Sequence, residues 1–380
     1  MNILTLRLPE HRLPEKTSWL KEKKSFHLPE HTTVLGEKIS DVKIGFETYG
    51  TLNEAKDNAI LICHYFSGSS NAAGRYEAQD PEPGYWDAII GPGKAIDTNK
   101  FFVIASDILC NACPKDPRVI TTGPATLNPQ NQKPYGLSFP MITIEDLVRV
   151  QKKLIDSLGI EKLFAVAGPS LGAMQTVQWA VSFPEMVERA IAVIGAGVET
   201  PAHVLSAVDF WAAPLKLDPS WNNGDYYHGE FPTRGMKEGL RLLTWHALSP
   251  EWSSHIAGRG VLTGTPMENF DDSFGIQEVL SRLANLRLNL MDPNHYLYIV
   301  KMVQCFSVRA QMEKIRAKML LISAKSDLLM LPKFSLEATQ ELRSKGHDVE
   351  YFEIEGNGGH MDGIFAIEKA AETISQFLSK

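Results

Sequence analysis

Three observations predict an α/β fold with a mostly parallel central sheet covered by helices. Short apolar runs alternate with helix-period segments along much of the chain. A G-x-S-x-G stands where one such run meets a helix, in Ala165-Val166-Ala167-Gly168-Pro169-Ser170-Leu171-Gly172-Ala173-Met174. Between these regular stretches, residues 198–312 hold four of the seven tryptophans and no convincing buried strand.

In chain order, Thr32–Leu35, Lys43–Tyr49 and Asn58–Tyr65 read as strands, and the polar Asn53–Asn58 suits a hairpin-like link between early antiparallel strands. A Gly/Pro-rich loop, Pro81–Gly93, leads to a buried strand at Phe101–Ser106. The irregular stretch Asp107–Pro140 is long enough to be functional or to carry short elements. Thr143-Ile-Glu-Asp146 opens a capped helix whose apolar face runs through Leu147, Val150, Leu154 and Leu158 to Gly159. Lys162–Ala167 is a short apolar run between glycines, as a buried parallel strand should be. The next helix puts Met174, Val177, Val181 and Met186 near one face and Gln175, Gln178 and Ser182 elsewhere, until Pro184 ends it. Arg189–Gly195, Lys318–Ala324 and Asp348–Ile354 are further strands; Lys333–Arg343 and Ile364–Leu378 are helical. The strandless block reads as a helical insertion lying over the strand ends near Ser170. It divides the chain into core residues 1–197, insertion 198–312 and core residues 313–380.

Composition narrows the chemistry. With 380 residues, 44% of them hydrophobic, the chain can bury one large core and an insertion. A net charge of −7 and the lack of a basic stripe argue against a nucleic-acid partner. No run approaches the roughly 18 apolar residues of a membrane span. Pro9, Glu10 and His11 stand where a signal peptide would be apolar, so a cytoplasmic protein is expected, without a membrane partner. Cys110-Asn-Ala-Cys113 has redox or zinc spacing but no second C-x-x-C, so no metal is expected and buried thiols are the simpler reading.

The elbow makes Ser170 a candidate nucleophile: a serine on a tight strand-to-helix turn, with glycines admitting close backbone. Chance alone gives such spacing in roughly one chain of this length in ten, and a serine that merely caps the helix is the competing reading. A serine needs a base, and the base needs a carboxylate. Asp327 follows the strand ending in Leu320-Leu-Ile-Ser-Ala324, and His360 closes Gly356-Asn-Gly-Gly-His360 after the next strand. Asp348 and Asp362 are alternative acids. The order Ser170, Asp327, His360 is that of the α/β hydrolases. The oxyanion would meet the backbone N–H groups of Leu171 and Phe66, the latter in His64-Tyr-Phe-Ser-Gly68.

Longer blocks carry a family resemblance. Those at His64–Ser70, Gly84–Lys94, Lys133–Pro140, Gly168–Gln175, Asp218–Tyr226 and Asp292–Tyr296, with Gly359-His360, resemble homoserine O-acetyltransferases over nearly the whole chain. The resemblance implies an α/β-hydrolase core, a helical lid between the sixth and seventh strands, and a homodimer through that lid. It implies no bound cofactor, acetyl-CoA or another acyl-CoA as co-substrate, and ping-pong acyl transfer to the hydroxyl of L-homoserine in methionine biosynthesis. Three departures stand out. The family's G-G-S-M-G-G is Gly168-Pro-Ser-Leu-Gly-Ala173 here; its carboxylate-binding arginine falls at Ala212; and Met361 separates His360 from Asp362, where the family has an aspartate directly after the histidine. Asp362, Arg241 and Tyr226 are the substrate-binding candidates, with Arg75 and Arg234 as further substitutes for the missing arginine. A lidded esterase or thioesterase, and a binding protein without catalysis, are the alternative functions.

Overall fold

The computed structural model describes residues 20–261, 269, 270 and 272–380. It opens with β1 (Lys24–Thr32), β2 (Lys38–Tyr49) and β3 (Ala59–Cys63), then the short pair β4 (Ile90–Gly91) and β5 (Ile96–Asp97), then β6 (Phe102–Ser106). Next come α1 (Ile144–Ser157), β7 (Ala165–Pro169), α2 (Leu171–Ser182) and β8 (Arg189–Val193). Helices α3 (Ala202–Leu217), α4 (Thr233–Ala247), α5 (Pro250–Ile256), α6 (Gly275–Leu288) and α7 (Pro293–Cys305) follow. The chain returns to the sheet with β9 (Lys318–Ala324), α8 (Pro332–Ser344), β10 (Val349–Ile354), α9 (Asp362–Phe365) and α10 (Ala371–Ser379).

The main sheet has eight strands in the order β1-β2-β6-β3-β7-β8-β9-β10. β1, β2 and β6 meet antiparallel, and every later neighbour is parallel. All five residues of β3 are buried because both faces of the sheet are covered. Alternation along the strand sends Leu61 and Cys63 into a core shared with α1 and α2, and Ile60 and Ile62 into one shared with Trp86 and the Phe377 side of α10. Helices α3 to α7 all fall between β8 and β9, the sixth and seventh strands of this sheet. None of the described helices is long and apolar enough to cross a membrane.

Several local expectations are corrected. Thr32–Leu35 is not a strand: Thr32 ends β1, and the residues after it form the β1–β2 turn, where the Gly36 N–H donates to the Thr33 carbonyl at 2.9 Å. The hairpin is therefore there and not at Asn53–Asn58. β2 pairs with β6, and the wholly apolar β3 takes a central place between β6 and β7, where both its faces are covered. α2 is buried on every side except Ser182. Its polar residues tolerate this because they are bonded inside: Gln175 accepts from Gln151 at 2.8 Å, and Gln151 accepts from the Trp179 indole at 2.8 Å. The apolar period of Ile364–Leu378 spans two helices, α9 and α10, joined by a 3-10 turn at Ile367–Ala370. Met1–Leu13 lies outside the described residues. Cys110 and Cys113 are buried free thiols, and burial pushes Cys113 up to about 12.

Candidate active site

Ser170 occupies the turn between β7 and α2 with φ 58° and ψ −115°, a conformation a non-glycine residue rarely holds. The flanking glycines let the turn pack. A Cβ on Gly172 would lie 2.1 Å from the Cys63 carbonyl oxygen, and one on Gly168 would lie 2.5 Å from the same atom. β7 pairs with β3 in register, so the elbow closes directly over the end of β3.

The next strands bring in the partners. Asp327 follows β9, and its Oδ1 accepts the N–H groups of Leu329 (2.8 Å) and Met330 (2.9 Å). Oδ2 is left to take a hydrogen bond from His360 Nδ1 at 2.6 Å. With Nδ1 holding the proton, His360 Nε2 accepts from the Ser170 hydroxyl at 2.8 Å. Exposure falls along this relay from 7% at Ser170 and 5% at His360 to 1% at Asp327, so Asp327 is shielded while the serine and histidine meet the cavity. Asp348, just before β10, and Asp362 take no part in it; His360 pairs with Asp327.

Phe66 and Leu171 flank the serine with backbone amides that donate to no protein acceptor among the described residues. The loop carrying Phe66 is braced from behind. His64, kept neutral by burial, donates from Nδ1 to the Tyr65 carbonyl at 2.7 Å, while Asn111 donates to His64 Nε2 (3.2 Å) and to the Gly68 carbonyl (3.0 Å). Ser70 adds a second anchor, its N–H donating to Asp107 at 2.9 Å.

Ser170 and His360 open into a cavity of about 470 Å³ whose opposite wall includes Trp211, Leu243, Ala247, Leu248 and Trp252 from the inserted helices. A serine-histidine-aspartate relay, two free amides and an apolar chamber are the parts an acyl transfer to and from serine requires.

The sequence profile of the alpha/beta hydrolase fold family matches residues 58–366. A homoserine O-acetyltransferase of Deferribacter desulfuricans is 38% identical over 96% of both chains, and one from Methanococcoides burtonii is 40% identical over 86% of this chain and 67% of its own. The chain belongs to the homoserine O-acetyltransferase family. Among solved structures, the homoserine O-acetyltransferase of Bacillus anthracis superimposes with a TM-score of 0.91 at 38% identity, covering 95% of this chain and 98% of that one. Esterase E22 superimposes equally well, TM-score 0.91, at 46% identity over 94% of this chain and 100% of that one.

In this member of the homoserine O-acetyltransferase family, most of the predicted substrate contacts lie outside the cavity lining. Ala212, in the slot of the family arginine, is fully buried on α3. Arg241 lies outside the cavity lining: it is about 200° around α4 from Leu243, which does line it, and it pairs with Glu238 at 2.7 Å. Tyr226 is also outside, its buried hydroxyl donating to Asp292 Oδ2 at 2.8 Å, where Asp292 caps α7. Arg75 is buried and Arg234 exposed, and neither lines the cavity. Asp362 does line it, but its carboxylate is turned to the histidine loop, accepting the Gly358 N–H at 2.9 Å. Sequence reading missed Arg287 on α6, the arginine among the described residues that does line the cavity. Its position in the last turn of α6 carries no motif.

Proposed function

We propose that this protein is a homoserine O-acetyltransferase that transfers acetyl from acetyl-CoA to the hydroxyl of L-homoserine, a step of methionine biosynthesis, through an acetyl-enzyme. Ser170 Oγ attacks the thioester carbonyl as its proton passes to His360 Nε2, and Asp327 stabilises the resulting imidazolium. The Phe66 and Leu171 amides receive the oxyanion. Its collapse expels the CoA thiolate, which takes the proton from His360 and leaves an acetyl ester on Ser170. In the second half, His360 takes the proton of the homoserine hydroxyl while that oxygen attacks the ester. Collapse frees O-acetylhomoserine, and His360 returns the proton to Ser170.

The unbroken hydrogen-bonded path from Asp327 to Ser170, at the floor of a largely apolar chamber, carries this reading and supports catalysis over binding alone. Residues 198–312 would serve as the lid between core segments 1–197 and 313–380, keeping water from the acetyl ester. A homodimer through this lid is supported by Phe210, Leu217 and Trp245, which are exposed on α3 and α4. A cytoplasmic site of action follows from the same biosynthetic role.

A second reading, an esterase with the same relay, is favoured by Ala212 in the arginine slot and by the likeness to esterase E22. Intact mass after mixing with acetyl-CoA alone is expected to show one acetyl group on the wild type and none on Ser170→Ala. Homoserine should then discharge the ester much faster than water does. Discharge at one rate with or without homoserine supports the esterase. No adduct and no CoA release from any acyl-CoA removes the acetyltransferase reading.

A further inference from the structure

A second cavity, of about 260 Å³, adjoins the catalytic one and shares Tyr65, Ser67, Arg287 and Phe365 with it. Tyr65 and Ser67 flank Phe66, so the junction of the two chambers lies beside the amide assigned to the oxyanion. The lining differs in kind. Where the catalytic chamber is walled largely by apolar side chains, the second presents Ser69, Asn71, Tyr85, Asp116 and Arg287.

Three of these groups lack the partners their chemistry calls for. The Arg287 guanidinium makes no ion pair or hydrogen bond among the described residues, although its charge reaches Tyr65 and Cys113. The Tyr85 hydroxyl is buried with no hydrogen-bond partner among the described residues, while its ring is fixed edge-on against Tyr65 at 5.2 Å between centroids. Asp116 accepts the Arg118 N–H at 2.9 Å and makes no salt bridge among the described residues, although the Arg118 charge reaches it. Buried polar groups are ordinarily satisfied, and an unpaired phenol and an unpaired guanidinium in one cavity lining suit an anion. The one carboxylate in the same lining supplies the opposite charge.

We propose that the second cavity reads the charged end of the acyl acceptor: Arg287 and the Tyr85 hydroxyl hold its α-carboxylate, Asp116 holds its α-ammonium, and its hydroxyl reaches Ser170 through the shared opening. This rests on the acceptor being a hydroxy amino acid. It moves carboxylate recognition from α3, where Ala212 cannot perform it, to the end of α6. An acetyl group carries no charge and needs no such site. An acyl donor ending in a carboxylate would share the chemistry, so the two sources are separated by experiment.

Steady-state transfer and pre-steady-state CoA release are measured on the full-length wild type, Arg287→Met, Arg287→Lys and Tyr85→Phe. Losing charge-assisted hydrogen bonds should raise the homoserine KM of Arg287→Met about 10- to 100-fold and that of Tyr85→Phe about 3- to 10-fold. Arg287→Lys should recover part of the loss. Transfer to 3-amino-1-propanol, which lacks the carboxylate, should be as fast in Arg287→Met as in the wild type, and the acetyl-CoA burst should be equal. Equal losses with homoserine and 3-amino-1-propanol overturn the proposal, as does an unchanged homoserine KM. So does a burst lost with succinyl-CoA but kept with acetyl-CoA, which assigns Arg287 to the donor. If the wild type acetylates but passes nothing to homoserine, the acceptor reading fails by itself. In that case, inhibition of 4-nitrophenyl acetate hydrolysis by 4-hydroxybutyrate that Arg287→Met loses supports the carboxylate site, and its absence in the wild type overturns it.

Discussion

Ser170, Asp327 and His360 stand beyond the carboxyl ends of β7, β9 and β10, whereas Trp211, Leu243, Trp252 and Arg287 opposite them come from α3 to α6. The two sides of the chamber are thus built under different constraints. The relay side is held by strands in a shared hydrogen-bonding register, so three residues 33 to 190 positions apart meet within 2.6 to 2.8 Å. The facing side is set by how helices pack, and a side chain there can change without disturbing the sheet. The comparison teaches that the acyl chemistry and the choice of acceptor are separable parts of this molecule.

Asp327→Asn tests the relay side most severely. The amide keeps the shape but no longer holds the His360 tautomer or balances the imidazolium. Both acetylation and transfer should slow about 10⁴-fold, the scale of triad carboxylate loss in other serine enzymes. Stopped-flow CoA release and steady-state transfer together check this. Loss in only one half-reaction would break the assignment of one relay to both.

The legible part of the sequence follows the same division. Ser170, Asp327 and His360 could be read because each follows a short apolar strand, and strand ends in a parallel sheet point the same way. β9 was placed from Lys318 to Ala324 by its apolar run alone. The hairpin was misplaced because pairing partners are set by the whole sheet, not by the nearest polar turn. Arg241 is a candidate substitute for the missing arginine and Tyr226 closes a block that resembles the family, yet ion pairing with Glu238 and the cap at Asp292 already occupy them. Arg287 and Tyr85 were not legible, since their significance is an absence of partners that exists only once the chain is folded.

Gly172→Ala probes how tightly the relay is tied to the sheet. On an open helix the change would stabilise by about 1 kcal/mol, but here the new methyl meets the Cys63 carbonyl at 2.1 Å. α2 or β3 must shift, at a cost of about 1–3 kcal/mol in urea unfolding. Because Ser170 precedes Gly172 by two residues, the burst with acetyl-CoA should fall about 100-fold, as expected for a nucleophile displaced by about an ångström. An unchanged burst would show that the elbow adjusts independently of β3.

Lys21→Met acts behind the second cavity and should change the least. Lys21 donates to the Ala73 carbonyl at 2.9 Å and to Asn71, a residue of that cavity's lining, and it lies 4.3 Å from the centre of the Tyr76 ring. Burial lowers its pKa to about 8, against the partial opposition of Glu47. An unfolded lysine titrates near 10.5. Between those values the unfolded chain binds more protons than the folded one, so this residue's contribution to stability rises with pH from about 8 to 10.5. The rise is at most about 3 kcal/mol. Below that window the charged amine is a constant cost, and methionine removes both the cost and the slope. Urea midpoints taken from pH 7.5 to 10 should therefore converge, the wild type gaining on Lys21→Met as pH rises. Parallel profiles would show that Lys21 is solvated as in the unfolded chain. The acetyl-CoA burst should be equal in both proteins, because the relay reaches Ser170 from the opposite strands.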